Sequence, residues 1–276
     1  MHICLNRVTA GGGLPLDQFL DIAAAAGFPG ADVDLGYGQA KGAGALGDLY
    51  ASRKLKLGGW GLPFDWRGDL AKQKEGLDRL AAQARIAAQL KADSCATWLM
   101  PSSDLPLMEN WLFHVQRLKP VAAVLEENGL RLGLEFIGPH HHRRRGKHEF
   151  LFTPGQMLEL AAAIGPNVGL LVDVFHLYTS GSTFDHLAQI PASKIVLAHL
   201  NDAPPGPVTS LQDSKRLLPG EGVIDLNAFM GALEKAGYTG PVSLEVFSDE
   251  LKKLKPADAA NLAGAACRKV LPKYMA

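Results

Sequence analysis

Strand-like runs alternate with helix-patterned segments along the whole chain, and that alternation leaves little freedom of topology. Short apolar runs occur at His2–Asn6, Ala31–Leu35, Lys56–Leu62, Ser94–Met100, Arg131–Ile137, Val168–Phe175, Ile195–Asn201 and Pro241–Phe247. Segments with helical spacing lie between them at Leu16–Ala26, Leu70–Leu90, Leu107–Asn128, Pro154–Ile164, Leu226–Ala236 and Pro256–Val270. Strand, helix, strand in succession means parallel strands with right-handed crossovers, and eight strands is the number that closes an α/β fold into a (β/α)8 TIM barrel. One such barrel takes roughly 250 residues. At 276 residues the chain is expected to be a single barrel domain over 1–276.

The punctuation supports the same reading. Helical segments end at Gly27, Gly129, Gly165 and Gly237, each placed to cap a helix in the left-handed conformation, and the next strand follows at once. Short links at that end leave the longer loops at the other, at Gly36–Gly47, Pro63–Lys72, Gly138–Thr153 and Asp202–Ile224, and in this fold active sites lie at that end. A doubly wound dinucleotide-binding sheet would need a spaced glycine fingerprint after its first strand. Gly11-Gly12-Gly13 lacks that spacing and is expected to be a flexible loop.

Four of the later runs each end on a residue able to hold a metal: Glu135 in RLGLEF, Asp173 in VGLLVDVFH, His199 in KIVLAHLND and Glu245 in PVSLEVF. Side chains alternate faces along a strand, so Glu135 shares a face with Gly133, His199 with Leu197 and Asn201, and Glu245 with Ser243 and Phe247. Each follows three or four residues of apolar strand, which sets all four at one height near the strand ends. An acid at a strand end can also cap a helix, and a lone strand histidine can be a satisfied core residue. Four ionisable groups converging on one barrel mouth would repel and be poorly solvated without a cation. One divalent ion is therefore expected, and three oxygens with one nitrogen suit Mn, Mg, Co, Fe or Zn.

Composition narrows the partners. Lys plus Arg number 28, as do Asp plus Glu, which argues against nucleic acid as a ligand and favours a small neutral or weakly anionic molecule. No apolar stretch reaches membrane-spanning length, and MHICLNRV opens on a strand-like run without the charged start of a signal peptide. Three distant cysteines, Cys4, Cys95 and Cys267, read as small buried hydrophobes, so a cytoplasmic location is expected.

The segment from Glu135 to Glu245 resembles the sugar isomerase/epimerase superfamily of xylose isomerase-like TIM barrels. LEF, DVFH, HLND and SLEVF fall where that family's Glu, Asp, His and Glu ligands fall, and RLLPGEG from Arg216 to Gly222 resembles its Arg-x-x-Pro-Gly-x-Gly stretch. The long spacer between His199 and Arg216 is more similar to the keto-inositol isomerases than to the ketose 3-epimerases. The resemblance implies a sugar or polyol substrate and proton transfer next to a carbonyl through a metal-stabilised enediolate. It implies Glu135 and Glu245 as both ligands and acid/base catalysts, His176 donating a hydrogen bond to a substrate oxygen, Arg216 binding substrate, and a homodimer as the assembly to look for.

Trp60 and Trp98, with Phe64 and Trp66, cluster at the ends of the third and fourth runs, where they form either core or an apolar wall for a sugar ring. The run from His140 to His148 reads as a solvated loop whose charge would attract an anionic substrate. A dehydratase or lyase on a keto-sugar or keto-glycoside would use the same proton abstraction. A non-catalytic sugar-binding barrel would have less reason to keep both glutamates. A DNA-repair endonuclease would need more aligned histidines and a basic face.

Overall fold

A computed structural model describes all of residues 1–276. Nine parallel strands make up the main sheet: β1 (His2–Leu5), β2 (Gly30–Ala31), β3 (Lys56–Leu57), β4 (Trp60–Gly61), β5 (Ser94–Leu99), β6 (Arg131–Phe136), β7 (Val168–Asp173), β8 (Ile195–Leu200) and β9 (Pro241–Leu244). Their spatial order is β3-β2-β1-β9-β8-β7-β6-β5-β4, so the two ends of the sheet are consecutive in the chain. β3 and β4 are halves of the one run expected over Lys56–Leu62, interrupted at Gly58 and Gly59. The first half pairs with β2 and the second with β5. Gly58 N donates to Ala31 O at 2.8 Å and Gly59 O accepts from Val33 N at 2.9 Å, which carries the pairing across the break and closes eight staves into a barrel.

Six helices stand where periodicity puts them, among them Leu70–Leu90, Pro154–Ile164 and Pro256–Val270 at the expected bounds. They pack on the sheet through a contiguous core of 66 buried residues. The barrel interior holds Ala96, Leu171 and Leu197, a small apolar group beneath the mouth. The cysteines are free and buried. No helix is long and apolar enough to cross a membrane.

Five expectations are corrected. Ala31–Leu35 is not strand beyond Ala31, and Gly36–Gly47 is not a loop. The Asp34 carboxylate accepts from Tyr37 N at 3.0 Å and starts a helix at Leu35, and Gly42, at φ 94°, links it to a second helix over Ala43–Ser52. The seventh-stave neighbour β7 stops at Asp173, short of Phe175. Its carboxylate accepts from Phe175 N at 2.8 Å and begins a short helix, Val174–Thr179. Gly27, Gly129 and Gly237 have the left-handed φ of a helix cap, whereas Gly165 has φ −179° because Pro166 drives its predecessor into extended backbone. Finally, the basic run is not wholly solvated. His140–Arg143 forms a helical turn, Arg143 donates to Gly138 O and Thr179 O at 2.7 and 2.6 Å, and its guanidinium covers the Phe152 ring.

Strand packing at β7 is tight enough to test. A Cβ at Gly169 would lie 2.5 Å from Lys194 O, a backbone atom that cannot swing aside. Gly169→Ala is expected to cost about 1–3 kcal/mol through forced backbone movement, read as a lowered urea midpoint with an unchanged slope.

Candidate metal centre and pocket

β6, β7, β8 and β9 lie side by side, and the pairing of His199 with Asp173 across a bulge in β8 sets those two at the same height. Glu135 ends one residue short of β6's limit and Glu245 follows β9 by one residue, so ligand atoms from all four residues lie within 4.8 Å of one another. His199 Nδ1 is 3.3 Å from Glu245 Oε2 and 3.8 Å from both Glu135 Oε1 and Asp173 Oδ2. Donor atoms about 2.0–2.2 Å from one cation stand at most ~4.4 Å apart, so a small contraction would bring the set onto a single ion. The residues fit such an ion on a second count. Glu135 Oε1 and His199 Nδ1 are buried without any hydrogen-bond partner, a costly condition that coordination relieves.

The electrostatics depend on Arg216. This side chain is only 1% exposed and donates from Nη1 to Asp173 Oδ2 at 2.7 Å and to Glu245 Oε2 at 3.3 Å. Its Nη2 and Nε both reach Asp213 Oδ1, at 2.7 and 3.0 Å, and Phe175 and Phe247 flank the guanidinium. Arg216 is held by its loop. Asp202, fully buried, accepts from the backbone N–H groups of Gly220, Gly222 and Ile224, each at 3.0 Å. That organises the Pro-Gly-x-Gly turn that follows Arg216.

Burial raises Glu135 well above the usual carboxyl range, and the charges of Glu245 and Asp173 add to it against His199 and Arg216. Asp173 is also opposed by burial, but Arg216 first, then His176 and His199, bring it below the usual value. Glu245 is lowered in the same way, with His199 beside it and Arg216 outweighing burial. Burial disfavours charge on His199, yet Glu245, Glu135 and Asp173 together push its imidazole up to about 10. A cation at the centre would offset the negative charge that holds these protons.

Two cavities open onto this centre and share Trp98, Glu135 and Glu245. One, of about 280 Å3, is walled by Trp60, Thr97 and Trp98 on one side and by Asn6 and Asp32 on the other. The second, of about 380 Å3, lies under His142, Arg145, Asp213 and Phe247. Trp98 is 46% exposed and presents its ring at the mouth, with Arg67 stacked 3.9 Å from its centroid and 4.2 Å from that of Trp66. Trp60 contributes less, being 5% exposed and anchored through Nε1 to Ala92 O at 2.9 Å.

His176 sits differently from the open strand end expected for it. It lies on the first turn after Asp173, fully buried, with Nε2 3.0 Å from Arg216 Nη2. Because a guanidinium only donates, Nε2 accepts. Burial first, and Arg216 next, lower this imidazole to about 4, which keeps it neutral. Its contacts in the structure are with Arg216, from which Nε2 accepts, and with Gly138 N, 3.4 Å from Nδ1, and it lines the second cavity.

Several polar residues of the site were not anticipated. Asn201 donates to both Asp173 oxygens at 3.1 Å, and its face-sharing position two residues after His199 was the available signal. Asp213 gave no periodic signal, since it lies in a loop. Asp32 lies second in the run Ala31–Leu35, so the pattern put it near a strand start, whereas in the structure it directly follows β2. Its Oδ2 accepts from Asn6 at 2.8 Å and its Oδ1 from Ser243.

The family described as the xylose isomerase-like TIM barrel matches residues 20–269, and the chain belongs to it. An inosose isomerase of Bacillus subtilis is 33% identical over 161 residues, 58% of this chain and 55% of that one, so the match spans about half the length of this relative. A 3-dehydroshikimate dehydratase of Pseudomonas aeruginosa is 38% identical over 85 residues, 30% of this chain and 13% of that one. Among solved structures, a xylose isomerase domain protein from Alicyclobacillus acidocaldarius is 33% identical with a TM-score of 0.89 over the full length of both chains. The IolI protein with a bound zinc atom is 24% identical with a TM-score of 0.79, covering 99% of each chain.

Removing the Arg216 fork strands Asp173 and Asp213 in buried surroundings. Arg216→Ala is expected to cost the metal-free protein about 3–5 kcal/mol of unfolding free energy, measured by urea titration. Asp32 yields a pH test. Burial, opposed by the Ser243 hydrogen bond, lifts its carboxyl from 3.8 to about 7. The folded chain therefore holds a proton there that the unfolded chain releases near 4, and this contribution is full below that pH and lost as pH rises through 7. Asp32→Asn should gain on the wild type by on the order of 1–3 kcal/mol between pH 4 and pH 8, followed by thermal unfolding across that range.

Proposed function

We propose that this chain is a divalent-metal-dependent isomerase or epimerase of a small keto-polyol or keto-sugar, with a keto-inositol as the first substrate to try. The observation that carries this reading is the pair Glu135 and Glu245. Two carboxylates from non-neighbouring strands converge on one metal-fitting cluster with orphaned ligand atoms, at the floor of a cavity close to the lower end of the usual ~300–1,000 Å3 for small ligands. The partial likeness to inosose isomerase supports the substrate class, and the zinc in the IolI protein supports the metal.

Glu135, Asp173, His199 and Glu245 would hold the ion, and Asp173 and His199 have no further duty in this scheme. A divalent ion supplies a Lewis acid that lowers the cost of negative charge developing on substrate oxygens. The proton work belongs to the chain. One glutamate takes the proton from the carbon beside the carbonyl, and the other returns it to the neighbouring carbon or to the opposite face. Their placement on β6 and just beyond β9 lets them approach a bound substrate from two sides. Arg216, fixed by Asp213 and the Asp202 turn, keeps positive charge beside Glu245 and faces the second cavity, while the Trp98 ring and the edge of Trp60 supply an apolar wall for the ring carbons.

Elimination is the second reading, supported by the short stretch similar to 3-dehydroshikimate dehydratase. It starts with the same proton abstraction and ends with loss of a leaving group. Incubation of Mn2+-loaded protein with keto-inositols, ketoses and keto-glycosides in deuterated water separates the two: isomerisation exchanges a proton at constant substrate skeleton, and elimination changes the mass. Glu245→Gln is expected to keep the fold and lose exchange by at least ~10²-fold, and a chelator should abolish exchange reversibly. Exchange by Glu245→Gln at the native rate would remove the acid/base assignment.

A further inference from the structure

Of the three carboxylates that line the cavity of about 280 Å3, Asp32 alone makes no ion pair: Arg7 at the same cavity is taken by Asp34, and His199 acts on Asp32 only from a distance. Glu135 and Glu245 face His199, and Glu245 also faces Arg216, whereas no Lys, Arg or His pairs with Asp32. Its only side-chain partners are neutral donors. Ser243 donates to Oδ1, and Asn6 Nδ2 donates to Oδ2 at 2.8 Å. Asn6 is itself fixed, because its Oδ1 accepts from Val8 N at 2.8 Å, and its Nδ2 lies 3.5 Å from Glu245 Oε1. The carboxyl is therefore rigid and is one amide nitrogen away from a candidate catalytic glutamate. A carboxylate has about four acceptor positions; Ser243, Asn6 and the Gly59 backbone N–H use three, which leaves one for a ligand.

An acid kept half-buried at a cavity wall, without an ion-pair partner, works against folding. Such an arrangement is expected where a ligand needs the group. Packing does not require it, since an amide of the same shape would fill the space.

Resting on the metal-centre reading above, we propose that Asp32 is a substrate-binding residue that hydrogen-bonds a hydroxyl of the polyol away from the reacting carbons. Together with Asn6 it makes this cavity selective for polyhydroxylated rings over deoxygenated ketones of the same size. The Trp98 face covers the carbons of such a ring, and Asp32 reads its rim.

Calorimetry on the full chain loaded with Mn2+ tests this, with myo-inositol as a non-reacting probe and the monodeoxy-inositols as controls. At about pH 8.5, above the value of about 7 to which burial lifts the Asp32 carboxyl, Asp32→Asn is expected to weaken myo-inositol ten- to hundredfold, the effect of a hydrogen bond to a charged group, and to leave Mn2+ affinity within twofold. At least one monodeoxy-inositol should bind wild type and variant equally. Equal myo-inositol affinity in the two proteins, loss of Mn2+ affinity in step with loss of inositol, or no inositol binding to the wild type would each overturn the assignment. Inositol binding that depends on Asp32 in a protein that exchanges no proton would instead overturn the isomerase reading alone.

Discussion

Three carboxylates and an imidazole within 4.8 Å can be buried only if positive charge is built in beside them. The chain supplies Arg216, and much else in the upper part of the barrel is arranged to hold that one guanidinium. Asp202 shapes the turn behind it, Asp213 takes its free edge, and two phenylalanines sandwich it. His176, neutral and buried, accepts its remaining N–H. Arg216 does not complete the balance. Its pull lowers Asp173 and Glu245 but leaves Glu135 raised and His199 protonated, so the cluster retains unmet ligand atoms that a cation would satisfy.

Period and count made the barrel legible, because eight parallel staves impose a rhythm on hydrophobicity that survives local irregularity. The four ligand candidates were legible for a related reason: each sits at the end of a buried strand, where face parity and height follow from counting residues. Features set by side chains bonding to nearby backbone were not legible. Asp34 and Asp173 each end a strand and begin a helix by accepting backbone N–H groups, and an apolar run continuing past them looks like strand. Gly165 has the position of a cap, but Pro166 after it selects extended backbone. Asp32 was missed because the true strand β2 is only Gly30–Ala31, while the apolar pattern starts at Ala31 and places Asp32 near the beginning of a run that carries two acids.

The sheet divides its labour unevenly. β5 to β8 are six residues each and pair in long parallel register, which is the rigidity that ligand geometry needs. β2, β3 and β4 have two residues each, and the break at Gly58 and Gly59 lets the barrel close there. The charged centre stands over the long strands, while Asp32, Trp60 and Thr97, on or beside the shorter ones and β5, line the cavity's other wall.

That division bears on how related reactions can share one scaffold. On the proposed reading, proton abstraction beside a carbonyl would draw on the metal-fitting cluster and its two glutamates, all carried by β6 to β9. Whether the resulting charge is quenched by a proton or by loss of a leaving group depends on how the rest of the molecule is held, and that is decided by groups on the opposite wall and in the loops. The cavity under His142 and Arg145 carries Arg145 at its rim, and the one beside Asp32 and Asn6 is lined by hydrogen-bonding groups whose cations, Arg7 and His199, are already faced by carboxylates. A substrate with an anionic arm would settle in the first and a neutral polyol in the second. On the proposed reading, the choice between isomerisation and elimination then lies away from the residues assigned to the first step.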